Sequence, residues 1–232
     1  MKLDSSMAEL YASAKYILEL GSSNGEHTRH FTGKVTVIDL DETKLATSAR
    51  EHNVTGIIKH DFTELPLPVD KQFDCVLCRE VIEHLYLPQA LSLIAELERI
   101  TYGTLIFSTP NVTNFTQLVR YILTGKIPFY NSYTTSEKII YFMKHRRRPD
   151  ILKMRKEFTE KYDKEPKDIS MHRSVFDADF FRQRGYTAYG VTGEYTREIM
   201  NNGTTVHIAD MIFDTFPSLA GTIIAMKNCN NS

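Results

Sequence analysis

The hydrophobic positions of this chain fall in short apolar runs that alternate with amphipathic stretches. Strict alternation of apolar and polar residues is rare within the runs, which predicts strands that are buried on both faces. The predicted strands cover residues 16–19, 35–39, 56–59, 73–78 and 103–108. Helical spacing predicts helices over residues 5–15, 41–52 and 88–100. Strands alternating with helices in this way indicate an α/β protein with a parallel sheet.

The alternation of predicted strands and helices stops after Asn111 and resumes near Asp177. Residues 112–175 contain no clear strand pattern, and helical spacing recurs over 115–123, 136–144 and 151–162. A helix over 177–184 and a strand over 186–192 follow, then a hairpin over 198–206 around Asn202-Gly203, and a last strand over 221–227. The chain therefore reads as an α/β domain with an insertion after its fifth strand.

The stretch from Tyr16 to Phe31 predicts a ligand site. Its apolar strand runs into a turn of small residues, 20–25, and a helix is expected from Glu26. Backbone N–H groups in such a turn can point at a ligand, and glycine permits close approach. Ligands of parallel sheets bind beyond the carboxyl ends of the strands, where this turn lies.

Composition narrows the class of protein. The 232 residues carry three cysteines and no apolar run near the roughly 20 residues that a membrane span needs. The N-terminal residues do not resemble a secretory signal, so we expect a cytoplasmic protein with reduced thiols. The net charge of −1 hides an asymmetry, because residues 112–175 hold 14 Lys and Arg against 7 Asp and Glu.

Four acidic positions, in order, carry a resemblance to a known family. Glu19-Leu-Gly21-Ser-Ser23-Asn-Gly25 is followed by Asp39, by Asp61 and by Phe73-Asp-Cys-Val-Leu-Cys78. This set resembles the class I S-adenosylmethionine-dependent methyltransferases, although Ser23 stands at the middle glycine of their fingerprint. The interval from Gly21 to Gly25 does not fit the Gly-x-Gly-x-x-Gly of dinucleotide enzymes, and no Gly-Lys-Ser/Thr of a P-loop follows.

The resemblance implies a Rossmann-like class I methyltransferase fold. That fold has a mostly parallel seven-stranded sheet, helices on both faces and here a helical insertion after strand 5. Residues 1–111 would be the cofactor-binding core, 112–175 a basic helical insert serving as substrate lid, and 176–232 the rest of the core. S-adenosylmethionine, and its product S-adenosylhomocysteine, would lie against Glu19, Gly21, Ser22, Ser23, Gly25, Asp39, Leu40, Asp61, Phe62 and Cys78.

Individual roles follow from the chemistry of these side chains. Asp39 can accept hydrogen bonds from both ribose hydroxyls, and Asp61 can accept one from the adenine amino group, with Phe62 against the ring. Glu19 would reach the amino-acid end of the cofactor through water or backbone. Each acid also has a structural alternative, as a cap of a helix or turn or as a buried structural carboxylate.

A second cluster follows the fourth strand, in Arg79-Glu80-Val81-Ile82-Glu83-His84-Leu85. The spacing of Glu80, Glu83 and His84 puts all three on one face of a helical turn. His84, or Glu80, could act as the general base. The cluster also resembles the Mg²⁺ site of small-RNA 2′-O-methyltransferases, in which Glu80, Glu83, His84 and His172 would be the ligands. A hydrogen-bonded helix start without metal is the third interpretation.

The expected reaction is methyl transfer to an oxygen, rather than a nitrogen or carbon, of a small-molecule acceptor. The alternatives are an Mg²⁺-dependent RNA 2′-O-methyltransferase and a non-catalytic binding subunit with the same fold. The basic, aromatic segment fits RNA, an anionic small molecule or a solvated lid. The partner is thus a small molecule, with RNA as the alternative and no membrane span. The sequence does not determine the identity of the acceptor, the use of a metal, or the oligomeric state, for which a homodimer is one possibility.

Overall fold

A seven-stranded sheet organises the computed structural model, which describes residues 3–21, 25, 27–111, 173–174, 176–191, 212–213 and 215–231. Its strands are β1 (Tyr16–Leu20), β2 (Lys34–Asp39), β3 (Val54–Lys59), β4 (Phe73–Arg79), β5 (Thr101–Pro110), β6 (Thr187–Val191) and β7 (Thr222–Asn228). The described helices are α1 (Leu3–Ser13), α2 (Glu42–Ser48), α3 (Leu87–Ile100) and α4 (Ala178–Arg182). None of these helices is long and apolar enough to cross a lipid bilayer.

The strand order is β3-β2-β1-β4-β5-β7-β6. Strand β1 pairs in parallel with β2 on one side and β4 on the other, and β2 pairs in parallel with β3. Strand β7 is antiparallel, so the sheet is mixed. Strand order reverses between β1 and β4, and such a reversal opens a crevice at the carboxyl ends of the strands. The class I methyltransferase fold expected from the sequence is confirmed.

The central strands are buried because they are apolar on both faces. In β1, Ile17, Leu18 and Leu20 have no exposed surface. Strand β4 buries Phe73 and Val76 equally completely. Burying side chains of this size stabilises the fold by about 1.5–3 kcal/mol each. The position of β1 in the middle of the sheet therefore follows from its composition.

The chain divides into two compact units. The first comprises residues 1–82, 88–107 and 226–232, and the second residues 83–87 and 108–225. In the first unit the Asp74 carboxylate accepts hydrogen bonds from the backbone N–H groups of Lys15 (2.8 Å) and Tyr16 (2.9 Å). This charged acceptor fixes the point at which the chain enters β1.

In the second unit, Asn111 holds the chain beyond β5. Its buried Nδ2 donates to the carbonyl oxygens of Pro217 (3.1 Å) and Ala220 (2.9 Å). Asn111 also forms an isolated parallel β-bridge with Phe176. The residues on either side of the segment 112–175 are therefore neighbours, held by backbone pairing.

One local expectation was wrong, and others fall outside the described residues. The turn after β1 leads into a 3-10 helix, Thr28–His30, instead of an α-helix. Residues 21–33 separate β1 from β2, which is near the minimum length for a parallel crossover. The predicted helices within 112–172 and the hairpin over 198–206 lie outside the described residues.

Candidate active site

Three acidic side chains lie at the carboxyl edge of three adjacent parallel strands. Glu19 is the fourth residue of β1, Asp39 is the last of β2, and Asp61 follows the end of β3 by two residues. The register pairs Leu20 with Ile38 and Asp39 with Lys59, so all three strands end at the same edge. The sequence placed these acids at strand ends, and the structure puts those ends side by side.

Gly21 begins the turn at this edge in a conformation that favours glycine. Its φ is +68°, and its N–H donates to the carbonyl of Ile38 at 3.1 Å. A Cβ placed here would lie 2.5 Å from Cγ2 of Val81 and 2.8 Å from the carbonyl oxygen of Arg79. The absence of a side chain thus lets two stretches of the protein pack together, in addition to any ligand approach. Ser22 and Ser23 lie outside the described residues.

Gly25 closes the same turn, also with a positive φ of +69°. A Cβ at this position would be 3.0 Å from Cγ of Glu51, an end that can move. Its carbonyl accepts a hydrogen bond from the backbone N–H of Arg29 at 3.2 Å. Gly25 therefore tolerates more change than Gly21, and its principal constraint is the backbone conformation.

Glu19 is a completely buried carboxyl group. Its Oε2 accepts a hydrogen bond from the hydroxyl of Thr28, and its buried Oε1 has no partner among the described residues. Burial raises the pKa of Glu19 from 4.5 to about 7, and the Thr28 hydrogen bond and the Arg79 charge act in the opposite direction. A buried acceptor without a donor is costly, which indicates that a ligand donor can complete it.

Asp39 shows the same pattern at the end of β2. Its Oδ1 accepts from the backbone N–H of Asp41 at 3.0 Å, which orients the carboxylate. Its Oδ2 is buried and has no partner among the described residues. Asp41 in turn caps α2 by accepting from the N–H of Thr43 at 2.8 Å. The capping role considered for Asp39 is thus taken by Asp41, and Asp39 retains an unused oxygen.

The other predicted cofactor residues differ in exposure. Asp61 is half-buried and accepts from the N–H of Thr63 at 2.9 Å, so it also stabilises a turn. Leu40 is 39% exposed, whereas Phe62 is buried. Cys78 is fully buried on β4 opposite Leu20. Leu40 is therefore the exposed apolar group available at the end of β2.

Glu83 and His84 lie in a 3-10 helix, Ile82–His84. The Glu83 carboxylate is buried, accepts from the Thr109 hydroxyl at 3.0 Å and lies 3.9 Å from Nε2 of His84. Its backbone carbonyl accepts from the N–H groups of Arg173 (2.7 Å) and Ser174 (3.0 Å). These bonds fix the position of Glu83, while the His84 side chain stays 29% exposed. An exposed imidazole beside a carboxylate can take up a proton.

The shared helical face proposed for the acidic cluster does not form. Glu80 has a φ of +49° and precedes the 3-10 helix, so spacing along an ideal helix does not describe its position. Among the described residues, no group of three or more His, Cys, Asp or Glu is arranged to hold a metal ion. His172, the remaining predicted ligand, lies outside those residues. The magnesium site is therefore unsupported.

Sequence reasoning missed two polar residues behind the turn, Thr28 and Asn53. Both are buried, and Nδ2 of Asn53 donates to the carbonyl oxygens of Thr28 (2.6 Å) and Phe31 (2.7 Å). The only sequence feature that points to a role for Thr28 is its position three residues after Gly25. Asn53 lies 25 residues further on and gives no signal of this contact.

The residues present fit S-adenosylmethionine. Two of the buried oxygens that have no partner among the described residues, Oε1 of Glu19 and Oδ2 of Asp39, are acceptors at the ends of neighbouring strands. The cofactor offers an ammonium group and ribose hydroxyls as donors, and a carboxylate is a suitable acceptor for both. Leu40 is an exposed apolar side chain next to Asp39 and could lie against its base.

Comparison with known proteins agrees with this geometry. Residues 18–106 match the family model described as a methyltransferase domain. No curated protein matches the chain. Among solved structures, the small RNA methyltransferase HEN1 is similar over 96% of this chain and 24% of its own, with 16% identity and a TM-score of 0.52.

Two further solved structures are similar over about half of this chain. The DhpI complex with S-adenosylhomocysteine has 22% identity and a TM-score of 0.41, covering 47% of this chain and 54% of that one. A Clostridium acetobutylicum S-adenosylmethionine-dependent methyltransferase has 15% identity and a TM-score of 0.39, covering 47% and 46%. This chain thus spans about half the length of each.

The family match covers the strands that carry the three acids, and the strand order is that of the same fold. The match begins one residue before Glu19 and ends within β5. Residues 18–106 of this chain are therefore similar to a methyltransferase domain, and its sheet has the class I methyltransferase fold.

Proposed function

We propose that this protein transfers a methyl group from S-adenosylmethionine to an oxygen of a small-molecule acceptor. The observation that carries the cofactor part is that Oε1 of Glu19 and Oδ2 of Asp39 are buried and have no partner among the described residues. Asp39 receives the ribose hydroxyls, Glu19 faces the amino-acid end, and Leu40 and Phe62 flank the base. Asp61 accepts from the adenine amino group. Gly21, Gly25 and Cys78, together with Ser22 and Ser23, complete the proposed set of cofactor-binding residues.

The cofactor supplies an activated methyl group, and the protein contributes binding, orientation and proton removal. Catalysis in such a site depends mainly on holding acceptor and methyl group in line. His84 takes the acceptor's proton, because a neutral imidazole is a base near pH 7 and its side chain is partly exposed. The neighbouring carboxylate of Glu83 stabilises the imidazolium that results, and Glu80 is the alternative base.

The acceptor class rests on the sequence of residues 112–175. This segment carries twice as many basic as acidic residues, 14 against 7, and we propose that it forms the substrate lid. A net positive lid attracts an acceptor with a negative group elsewhere in the molecule. Residues 1–111 then form the cofactor-binding core, and residues 176–232 complete the same core.

Replacing Asp39 with alanine tests the cofactor site. We expect the affinity for S-adenosylhomocysteine, measured by calorimetric titration, to fall about 30-fold, because a hydrogen bond to a charged group contributes about 2 kcal/mol. Asp70→Asn, on an exposed carboxylate between β3 and β4, is the matched control and should bind as wild type does. Absence of binding by the wild type, or unchanged binding by Asp39→Ala, would overturn the assignment.

The acceptor proposal is tested by following labelled methyl transfer to a panel of hydroxylated small molecules, with and without negative groups. Small RNA is included, with and without EDTA. Transfer to a small molecule that persists in EDTA supports the proposal. Transfer confined to RNA and abolished by EDTA would support the magnesium-dependent alternative, and cofactor binding without transfer to any acceptor would favour a binding subunit.

A further inference from the structure

The turn after β1 is held by a chain of buried side-chain hydrogen bonds. Asn53, directly before β3, donates through Nδ2 to the carbonyl oxygens of Thr28 at 2.6 Å and Phe31 at 2.7 Å. Thr28 makes the next hydrogen bond of the chain, in which its hydroxyl donates to Oε2 of Glu19. The exposed fractions of Asn53, Thr28 and Glu19 are 7%, 0% and 0%. Hydrogen bonds this deeply buried are not exchanged with water and fix the groups that they join.

This chain of bonds leaves the Glu19 carboxylate with one oxygen free. A threonine hydroxyl has a single proton, and Thr28 uses it on Oε2. The plane of the carboxylate is thereby set, and Oε1 has no partner among the described residues. Because Thr28 itself is anchored at its backbone by Asn53, the hydroxyl cannot easily turn away.

We propose that Thr28, held in place by Asn53, is a positioning residue for the amino-acid portion of the cofactor. It orients the Glu19 carboxylate so that Oε1 accepts a hydrogen bond from the cofactor's ammonium group. This inference rests on the proposed binding of S-adenosylmethionine and adds two residues to the site. Neither touches the cofactor, because both act through Glu19.

The same hydrogen bond also favours the ionised carboxylate. Burial opposes ionisation of Glu19, while the Thr28 hydroxyl and the guanidinium of Arg79 on β4 support it. Among the described residues, the Cys75 thiol also interacts with Glu19, and burial raises the pKa of this thiol, so it stays neutral. Without the Thr28 hydroxyl, the pKa of Glu19 rises further, and a protonated carboxyl no longer balances an ammonium group.

The test compares two ligands that differ at the amino-acid end. S-adenosylhomocysteine carries the ammonium group, whereas 5′-methylthioadenosine has the same adenosine and sulfur without it. We expect Thr28→Val to weaken S-adenosylhomocysteine about tenfold at pH 7 while 5′-methylthioadenosine changes less than about twofold. Thr28→Ser, which keeps the hydroxyl, restores wild-type affinity.

Other outcomes have distinct meanings. Equal weakening of both ligands by Thr28→Val, or no weakening of S-adenosylhomocysteine, would overturn this inference while leaving cofactor binding intact. Failure of the wild type to bind either ligand would overturn the proposed function instead. Thr28→Ala is measured in parallel, so that the result does not depend on how valine packs, and circular dichroism establishes that each variant is folded.

Discussion

Gly21→Ala lowers the free energy of unfolding by about 2–4 kcal/mol and abolishes measurable cofactor binding. Alanine in a left-handed conformation costs about 1 kcal/mol, and Gly21 has a φ of +68°. The new methyl group would also meet the carbonyl oxygen of Arg79 at 2.8 Å and Cγ2 of Val81 at 2.5 Å. Overpacking of this kind adds about 1–3 kcal/mol, because the backbone oxygen must move. Urea unfolding and calorimetric titration measure the two effects.

Gly185→Ala is the matched control for the steric part of this prediction. Gly185 follows α4 with a φ of +80°, and a Cβ there would meet nothing within 4 Å. Its substitution should cost only the conformational part, about 1 kcal/mol. If both variants lose the same stability, the close contact of Gly21 with Arg79 and Val81 does not contribute, and overpacking is not the cause of the loss.

Without cofactor, the wild-type protein loses stability as the pH rises from about 5 to about 7, and Glu19→Gln does not. The pKa of Glu19 is raised from 4.5 in the unfolded chain to about 7 in the fold. In that interval the native state holds a proton that the unfolded state has released, so the free energy of unfolding falls with rising pH. Above pH 7, the raised pKa of Glu19 makes the free energy of unfolding lower than below pH 4.5 by on the order of 3 kcal/mol.

Urea unfolding at several pH values measures this slope. Glu64→Gln is the matched control, because Glu64 is exposed and the same change there should leave the wild-type slope. S-adenosylhomocysteine should reduce the slope in the wild type, since its ammonium group favours the ionised carboxylate. An unchanged slope in Glu19→Gln would show that another group is responsible.

The sequence was sufficient for the strands because their apolar runs are bounded by turn residues. Strand β4 was predicted over 73–78 and is Phe73–Arg79, and β3 was predicted over 56–59 and is Val54–Lys59. The fold class and the positions of Glu19, Asp39 and Asp61 at strand ends follow from the same pattern. Backbone hydrogen bonding within a sheet does not require apolar side chains, and β5 accordingly extends over Thr101–Pro110, beyond the predicted 103–108 at both ends.

What the sequence could not give depends on distances between remote residues. The contact of Asn53 with Thr28 joins positions 25 residues apart, and polar residues at such a separation carry no periodic signal. The i, i+3, i+4 spacing at Glu80 to His84 predicted a helix, but Glu80 adopts a positive φ at the end of β4. Local propensity thus gives way to the need to turn the chain sharply after a central strand.

The bridge between Asn111 and Phe176 has a consequence for the length of the chain between them. These two residues pair directly, so they are the closed ends of the intervening stretch. The entropic cost of closing such a stretch grows slowly with its length, and doubling the length would add only about 0.6 kcal/mol. An insertion between Asn111 and Phe176 is therefore expected to change the free energy of unfolding little.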